Sequence, residues 1–311
     1  MNVFWHRRDL RIKDNKGLKV AGQDTVPVYI FDPDWLTSSL VSDARISFVI
    51  ESLRDLNRQY LDRGSHLVLL HGEPEKILQD IEDEHEIYLN RDANHFNQER
   101  EKKVRKRYNT VSQSPATNHR VNRDNWGSKF TEWFSSEPIE PPQKFQKPSF
   151  ESDVTLDQIK QKYDINREKE KFGKGGTKPA INRLEKFKQN IGNYSGSISS
   201  PSKAENNTSH LSPYLRFGCL SPREVYKSVK SSKNSSNRRS VEIFLDRIVW
   251  QQHFRKKLED NPDLFKEAIN PVYRDLNREK RDQNKIDAWK NGKTGYPLVD
   301  ASMRALSQTG W

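Results

Sequence analysis

The alternation of apolar and amphipathic segments over the first 120 residues constrains the fold of this 311-residue chain most strongly. Runs suited to one strand each lie at residues 3–5, 26–31, 66–71, 86–90 and, more weakly, 108–112. Segments with helical spacing separate them, at residues 44–63, 73–84 and 97–106. Strand–helix–strand alternation is typical of a parallel sheet covered on both faces. We therefore expect an α/β, Rossmann-like N-terminal domain at residues 1–134.

The chain changes character after residue 134. Prolines break up the next stretch, and a charged, apolar-poor segment follows, so residues 135–178 are predicted to be a connector running over the surface. Beyond it no strand pattern occurs, and helical periodicity returns at residues 182–189, 221–230, 240–258 and 298–307. Two inserts rich in Ser and Asn, residues 195–207 and 231–239, are predicted to be mobile. An all-α domain at residues 179–311 is expected.

Charge and cysteine content narrow the class of protein. The net charge of +11 and a pI of about 9.5 favour a polyanionic partner such as nucleic acid, although a solubilising excess of charge is the alternative. Cys219 is the single cysteine, which excludes a disulfide framework and a cysteine-based zinc site, and we expect it to be a packing residue. The His residues show no metal-ligand spacing, so no metal is expected. Neither a leader nor a membrane-length apolar run occurs, which predicts a cytoplasmic protein without a membrane partner.

A glycine-rich segment bears a superficial likeness to a phosphate-binding loop. Gly173, Gly175 and Gly176 lie close together in KFGKGGTKP. The segment lacks the closing Lys-Ser/Thr pair and has no strand before it, so this is weak support for phosphate binding.

One short segment has the composition of an anion site. Thr208, Ser209, His210, Leu211 and Ser212 offer small hydroxyls and backbone N–H groups next to a helix start, which suits a pyrophosphate. The alternative is an ordinary helix N-cap formed by Thr208 or Ser212, and the local pattern alone favours it.

The helix predicted at residues 240–258 interleaves aromatic side chains with Arg and Gln. Such a face can stack on bases or on a planar cofactor. The residues concerned are Phe244, Arg247, Trp250, Gln251 and Phe254. The alternative is an ordinary core stripe made of Phe244, Ile248, Phe254 and Leu258.

Four segments together resemble the photolyase/cryptochrome family. They are VFWHRRDLRIKDNKGL (residues 3–18), TSHLSPYLRFGCLSPREVY (208–226), FLDRIVWQQHFRKKLEDNP (244–262) and AWKNGKTGYPLVDASMRALSQTGW (288–311). The resemblance implies the same α/β-then-helical fold, with FAD in the helical domain. It also implies light-driven electron transfer from reduced FAD to UV-damaged DNA, the reaction of a deoxyribodipyrimidine photo-lyase. A second, antenna chromophore (folate or deazaflavin) and a monomeric state are further expectations.

The resemblance also assigns individual residues. Tyr194 and the segment 208–212 match positions used against the FAD phosphates and ribitol, with Thr208 and Ser212 on phosphate oxygens. Phe244 stands where an aromatic wall lines the flavin, and Gln251 replaces an Arg that contacts the flavin phosphates. The resemblance places Trp250, with Arg247 and Phe254 beside it, against the lesion. It assigns no catalytic residue.

Departures from the family pattern keep other functions open. Arg247 occupies the place of an acidic residue that assists dimer repair, and no Trp lies between Trp250 and Trp289, where the family has a relay Trp. A cryptochrome-like photoreceptor without repair activity is therefore one alternative. Because similar proteins continue past Trp311, the helical domain is expected to be incomplete, and an inactive fragment that no longer retains FAD is another. Residues 90–92, at the carboxyl edge of the predicted sheet, are either antenna contacts or a polar loop.

Overall fold

The N-terminal part of the chain is a five-stranded parallel sheet. The computed structural model describes residues 1–93, 108–113, 123–166, 173–265, 267–274 and 282–310. The strands are β1 (Asn2–His6), β2 (Thr25–Phe31), β3 (Val68–His71), β4 (Glu86–Asn90) and β5 (Asn109–Val111), and their order is β3-β2-β1-β4-β5. Every neighbouring pair is parallel. This confirms the predicted α/β class, and all five predicted strands are present.

Four helices accompany these strands. They are α1 (Lys16–Ala21), α2 (Pro33–Leu36), α3 (Asp43–Leu61) and α4 (Pro74–Glu82). The predictions at residues 44–63 and 73–84 correspond to α3 and α4. The sequence did not predict α1 and α2, because helices of six and four residues are too short to show a period. The helix predicted at residues 97–106 lies outside the described residues.

Pro27 lies inside β2, which is an unusual position for proline. Its missing N–H cannot bond to a neighbouring strand, so prolines are normally confined to sheet edges. The register explains why it is tolerated: β3 pairs with β2 only from Val28 onward, whereas β1 pairs with it at Phe4↔Pro27. At Pro27 the strand therefore has a neighbour on one side only, and no bond to β3 is lost.

The two faces of the sheet bury different cores. On one face, Phe4 and Phe31 belong to a cluster that also contains Phe217 and Phe244, far along the chain. On the other face, Trp5 and its strand neighbours pack against α4 in a smaller, separate cluster. The larger cluster is continuous, so the α/β part and the helical part share one hydrophobic core.

The segment between the two parts is fastened to the sheet. It contains α5 (Arg123–Ser135), which the sequence did not predict, and α6 (Leu156–Lys162). The backbone N–H of Phe145 donates to the Arg63 carbonyl at 2.9 Å, and the Ser152 hydroxyl accepts from the backbone N–H of Leu69 at 2.9 Å. Phe145 and Ile159 are buried. The connector thus crosses the surface with two apolar anchors, while the domain boundaries at residues 134 and 178 stay predictions.

The C-terminal part is helical throughout the residues that the structure describes. Its helices are α7 (Thr177–Asn190), α8 (Pro201–Asn207), α9 (Ser212–Arg216), α10 (Pro222–Ser231), α11 (Arg238–Asp260), α12 (Gln283–Lys290) and α13 (Pro297–Thr309). The four predicted helices correspond to α7, α10, α11 and α13. The insert at residues 195–207 contains α8, which its Ser/Asn-rich composition concealed. Within the described ranges, no helix has both the length and the apolar composition needed to cross a bilayer.

A buried ion pair joins the turn after β1 to the start of α10. Asp14 and Arg223 bond through Oδ1 and Nη2, and their side chains are only 2% and 8% exposed. The Ser221 hydroxyl also donates to Asp14, and the Arg223 guanidinium donates to the Ser136 hydroxyl at 2.7 Å. Burial alone would raise the pKa of Asp14, but the bonds from Arg223 and Ser221 lower it below the usual value.

Backbone contact between the two parts is equally close at Gly218. The Phe217 carbonyl accepts from the Leu10 N–H at 3.1 Å, and the Gly218 carbonyl accepts from the Arg11 guanidinium at 3.0 Å. Gly218 has a φ of 72°, and a Cβ there would lie 2.3 Å from the Arg8 carbonyl oxygen. Only glycine satisfies both the left-handed conformation and this approach.

The glycine-rich segment makes a second interdomain contact and does not form a phosphate loop. The backbone N–H of Gly175 donates to the Glu51 carboxylate at 2.7 Å, and that of Thr177 donates to Asp55 at 2.9 Å. A Cβ on Gly175 would lie 2.1 Å from the Phe48 carbonyl oxygen of α3. The N–H groups that a phosphate would need are thus bonded to carboxylates of α3. Cys219 is buried nearby, as expected of a packing residue, and burial raises the pKa of its thiol to about 11.

Removing one partner of the Asp14–Arg223 pair is expected to destabilise the protein strongly. Arg223→Ala leaves a carboxylate buried without its cation, which costs about 3–5 kcal/mol in the free energy of unfolding. Urea unfolding followed by circular dichroism measures this. The matched control is Arg238→Ala, which removes an exposed arginine paired with Glu242 and should keep the wild-type midpoint. Equal midpoints for the two variants would contradict the assigned role of the buried pair.

Candidate functional site

The segment 208–212 forms a turn between α8 and α9 that is held by its own hydrogen bonds. The Thr208 hydroxyl donates to the Ala204 carbonyl at 2.7 Å, and the His210 Nε2 lies 2.6 Å from the Glu205 carbonyl oxygen. Thr208 therefore ends α8, and the residue before α9 is Leu211, which makes no side-chain cap. The N-cap interpretation of Thr208 and Ser212 is wrong. His210 adopts a φ of 50°, and its bond to Glu205 fixes this left-handed conformation.

The turn borders a cleft of about 570 Å³ between α7, α8 and α13. Thr208 and His210 line this cleft together with Arg183 and Lys186 of α7 and Gln308 of α13. The other three residues of the segment do not line it: Leu211 is buried, Ser212 is exposed, and the Ser209 hydroxyl accepts weakly from the Leu211 N–H at 3.4 Å. The structure thus separates Thr208 and His210 from their sequence neighbours.

Arg183 and Lys186 are site residues that sequence reasoning missed. Neither side chain makes an ion pair within the part of the chain that the structure describes. They lie three positions apart, and such residues share one side of a helix. That spacing was visible in the sequence, but only the fold brings α7 to Thr208. Two cations, a hydroxyl and an imidazole are donors suited to a pyrophosphate, and the volume falls within the range of about 300–1,000 Å³ typical of small-molecule sites. The residues present therefore fit the phosphate end of FAD.

Tyr194 and Phe244 lie together in the core. Their ring centroids are 5.5 Å apart, and Phe187 completes the group at 4.8 Å from Phe244. Both predicted residues are buried, with exposures of 8% and 3%. Burial raises the pKa of Tyr194. Neither ring lines the cleft beside Thr208.

One face of α11 exposes aromatic side chains to solvent. Trp250 is 53% exposed and Phe254 is 54% exposed, and their ring centroids are 6.0 Å apart. Arg247 and Gln251 are exposed on the same face, because positions i, i+3, i+4 and i+7 coincide on a helix. The opposite face is buried and includes Ile248. The core-stripe interpretation is therefore right for Phe244 and Ile248 and wrong for Phe254 and Leu258.

The carboxyl edge of the sheet, where β1 and β4 end, is filled by the chain's own polar contacts. The Asn90 amide donates to Asp9 at 2.5 Å, and its oxygen accepts from the Gly17 N–H at 2.9 Å. Arg8 Nε donates to Asp92 at 2.6 Å, and Arg7 donates to the Asn90 carbonyl. These ion pairs and hydrogen bonds cross from one strand end to the other.

Little space remains at this edge. Arg255 of α11 reaches across and donates to the Arg91 carbonyl at 3.3 Å, and the gap left among the described residues is about 40 Å³. Small-molecule sites have volumes of about 300–1,000 Å³. Residues 90–92 therefore do not fit a folate or deazaflavin chromophore, and the polar-loop interpretation is the one that the described residues support.

The same network lowers the pKa values of its carboxyl groups. Burial alone would raise the pKa of Asp9, but hydrogen bonds from His6 and Asn90 lower it to about 2. Burial likewise opposes ionisation of Asp92, and the charge and hydrogen bonds of Arg8 hold its pKa far below the usual value. Both carboxylates are therefore ionised at neutral pH and stabilise the edge.

Comparison with known proteins identifies both parts of the chain. Residues 2–122 match the family model for DNA photolyase, and residues 244–311 match that for the FAD binding domain of DNA photolyase. The deoxyribodipyrimidine photo-lyase of Halobacterium salinarum is 27% identical over 98% of this chain and 71% of its own length. Cryptochrome-1 of Erithacus rubecula is 28% identical over 99% of this chain and 56% of its own length.

Solved structures agree with these relationships. An archaeal photolyase from Sulfolobus tokodaii, which holds two FAD molecules, superposes with a TM-score of 0.79 at 28% identity, over 100% of this chain and 72% of that protein. A cryptochrome from Synechocystis superposes with a TM-score of 0.85 at 21% identity, over 100% of this chain and 72% of that chain. The second likeness shows the fold alone.

Exposure predicts opposite effects for two aromatic residues of α11. Trp250→Ala should change the free energy of unfolding by less than about 0.5 kcal/mol, because the side chain is largely solvent-exposed. Phe244→Ala should lower it by about 3–5 kcal/mol, because it leaves a cavity between Phe187 and Tyr194. Urea unfolding of both variants tests this. Strong destabilisation by Trp250→Ala would contradict the exposed position of its side chain.

Acid should weaken the sheet edge through Asp9. Its pKa of about 2 in the folded protein lies below the usual aspartate value of 3.8, so the unfolded chain binds the proton first as pH falls. The stabilisation is complete above about pH 4 and is lost as pH falls towards about 2, and it amounts to about 2 kcal/mol. Urea unfolding at pH 7, 4 and 3 measures it. Asp9→Asn should flatten this pH dependence, and Asp80→Asn is the control for the loss of one charge. An unchanged slope in Asp9→Asn would contradict the assignment.

Proposed function

Because this chain belongs to the photolyase/cryptochrome family, we propose that it serves as a light-dependent DNA-repair flavoprotein that splits pyrimidine dimers in UV-damaged DNA. The observation that carries the proposal is the exposed aromatic face of α11. Trp250 and Phe254 each expose about half of their side chain to solvent, and stacking on an unpaired base is a use that fits their geometry.

The phosphate end of FAD is proposed to lie in the cleft between α7 and α8. Arg183 and Lys186 supply positive charge there. This charge makes up for the one that is lost where Gln251 replaces the Arg of the family. The Thr208 hydroxyl now donates to the Ala204 carbonyl, so its contact with a phosphate requires that bond to be exchanged. Ser212 is proposed to contribute its hydroxyl from the exposed side of the turn, and Ser209 and the buried Leu211 are proposed to contribute only through the backbone of the turn. The His210 imidazole lines the cleft beside Thr208.

The chemistry belongs to the cofactor, and this chain's residues position the reactants. Reduced FAD supplies, after absorbing light, the electron that splits the cyclobutane ring. The net positive charge of the chain favours the DNA backbone, and a lesion flipped out of the duplex would stack on Trp250 and Phe254. Tyr194 and Phe244 form a rigid wall behind this face and hold α11 in place. No residue is assigned a proton-transfer role.

A photoreceptor without repair activity is the second candidate, and Arg247 favours it. Arg247 is exposed on the same face of α11, at the position where the family's repair enzymes carry an acidic residue. A guanidinium stays protonated, so it cannot take over the proton exchange of a carboxyl group. Comparison of duplexes with and without a cyclobutane dimer separates the two functions. Preferential binding of damaged duplex and loss of dimers under blue light support repair. Equal binding with no dimer loss supports photoreception and contradicts the repair proposal.

Lesion binding should depend on Trp250. Trp250→Ala is expected to weaken binding of damaged duplex about 10-fold or more, the loss of one stacked base, and to leave binding of undamaged duplex unchanged. Fluorescence anisotropy with labelled duplexes measures both. Leu258→Ala, which trims an exposed apolar side chain further along α11, is the control. A uniform loss on both duplexes would mean that Trp250 does not read the lesion.

Flavin retention should depend on the cleft. Thr208→Ala with Ser212→Ala, and separately Arg183→Gln with Lys186→Gln, should each raise the Kd for FAD about 10-fold or more by removing phosphate contacts. Flavin fluorescence titration measures this, with riboflavin, which has no phosphate, as the ligand control. Lys188→Gln is the matched variant, since Lys188 pairs with Glu185 and lies outside the cleft. Unchanged FAD affinity in both double variants would contradict the assigned site, and no FAD binding by the wild type would contradict the proposed function.

A further inference from the structure

A second basic surface lies where α7 meets α3, and it shares Arg183 and Lys186 with the cleft at Thr208. An open groove of about 680 Å³ runs between the two helices. Arg54 and Arg58 line it from α3, and Lys178 and Lys186 line it from α7. Lys174 and Arg183 complete the set of six cationic side chains. The groove therefore spans the junction between the α/β part and the helical part, away from the exposed face of α11.

Five of these six cations make no ion pair with any residue that the structure describes. Arg54 pairs with Asp157 at 2.5 Å. No ion pair involves the remaining five within the ranges that the structure describes. They are Arg58, Lys174, Lys178, Arg183 and Lys186. Positive charges collected in a concave surface without partners raise the local concentration of anions.

Two carboxylates, Glu51 and Asp55, also line the groove, so its lining holds six cations and two anions. Glu51 accepts from the Gly175 N–H at 2.7 Å, and Asp55 accepts from the Thr177 N–H at 2.9 Å and from the Gln59 amide at 2.9 Å. Their oxygens are thus used to fasten the glycine-rich segment to α3. The acids thus hold the contact between the two parts, and the groove keeps an excess of positive charge.

We propose that this groove binds the phosphate backbone of nucleic acid, independently of lesion recognition. Arg54 and Arg58 lie four positions apart on α3, which is about 6 Å along the helix, and Lys178 lines the groove from α7. Phosphates of one DNA strand are spaced about 3.4 Å along the duplex axis, so this row spans about two of them. A concave strip of cations between two helices fits a strand and not a flat membrane surface. No residue of α11 lines the groove, so it adds a backbone contact separate from Trp250.

The test compares two charge-neutralising double variants. Arg58→Gln with Lys178→Gln removes one cation from each wall of the groove without touching the cleft at Thr208. Lys16→Gln with Lys19→Gln removes two exposed lysines of α1 that line neither the groove nor the cleft. Both variants lose two positive charges. The probes are an undamaged 20-base-pair duplex, the corresponding single strand, the duplex with one dimer, and vesicles containing phosphatidylserine, each titrated from 50 to 200 mM salt.

The groove variant should bind both undamaged probes about 10-fold more weakly, and the slope of log K against log salt should fall by about 2. The ratio of the binding constants for damaged and undamaged duplex should stay at its wild-type value. Trp250→Ala should instead lower that ratio and leave the salt slope unchanged. The α1 variant should match the wild type. Equal slopes for the groove variant and the wild type would overturn the proposal. So would a groove variant that binds vesicles more weakly but binds every nucleic-acid probe as the wild type does. The salt slope can be measured without flavin. A change in the slope therefore tests the groove even if the repair proposal fails.

Discussion

The buried pair between Asp14 and Arg223 is the interaction on which the remainder of the molecule depends. It brings the turn after β1 against the start of α10, and Gly218 then lets the two backbones meet at Arg8. The segment 208–212 immediately precedes this contact, so its position is set by the sheet as well as by its own helices. An ion pair of this kind adds little net stability, but it is costly to break and therefore fixes one arrangement of the two parts.

The polar groups at the domain junction are used in two different ways. At the carboxyl edge of the sheet, opposite charges neutralise one another, as in Arg8 with Asp92, and the space between the strands closes. In the groove between α3 and α7 the two acids bond to backbone N–H groups, and five of the six bases make no ion pair with any residue that the structure describes. The sheet edge is therefore closed by its own ion pairs, whereas the groove keeps an excess of positive charge.

The sequence predicted the architecture more fully than the site. Strands and long helices were predictable because a single period runs through them, and α3 and α11 were predicted to within a few residues. Short helices such as α8 carry too few residues to show a period. Arg183 and Lys186 were missed because their significance arises from a contact with a turn more than twenty positions away. The exposure of Phe254 was misread since its spacing equals that of a core residue, and only packing distinguishes the two.

The shared core has a consequence for synthesis of the chain. Asp14 and Arg11 bond to partners 209 and 207 residues downstream, and Phe4 packs in a cluster completed by Phe217. At about 5–20 residues per second, a ribosome needs roughly 10–40 s to deliver those partners. During that interval the finished strands carry an uncovered apolar face and a carboxylate that is still hydrated. The N-terminal part of the chain therefore waits for its last core residues, and chaperone binding during translation would fall in this interval.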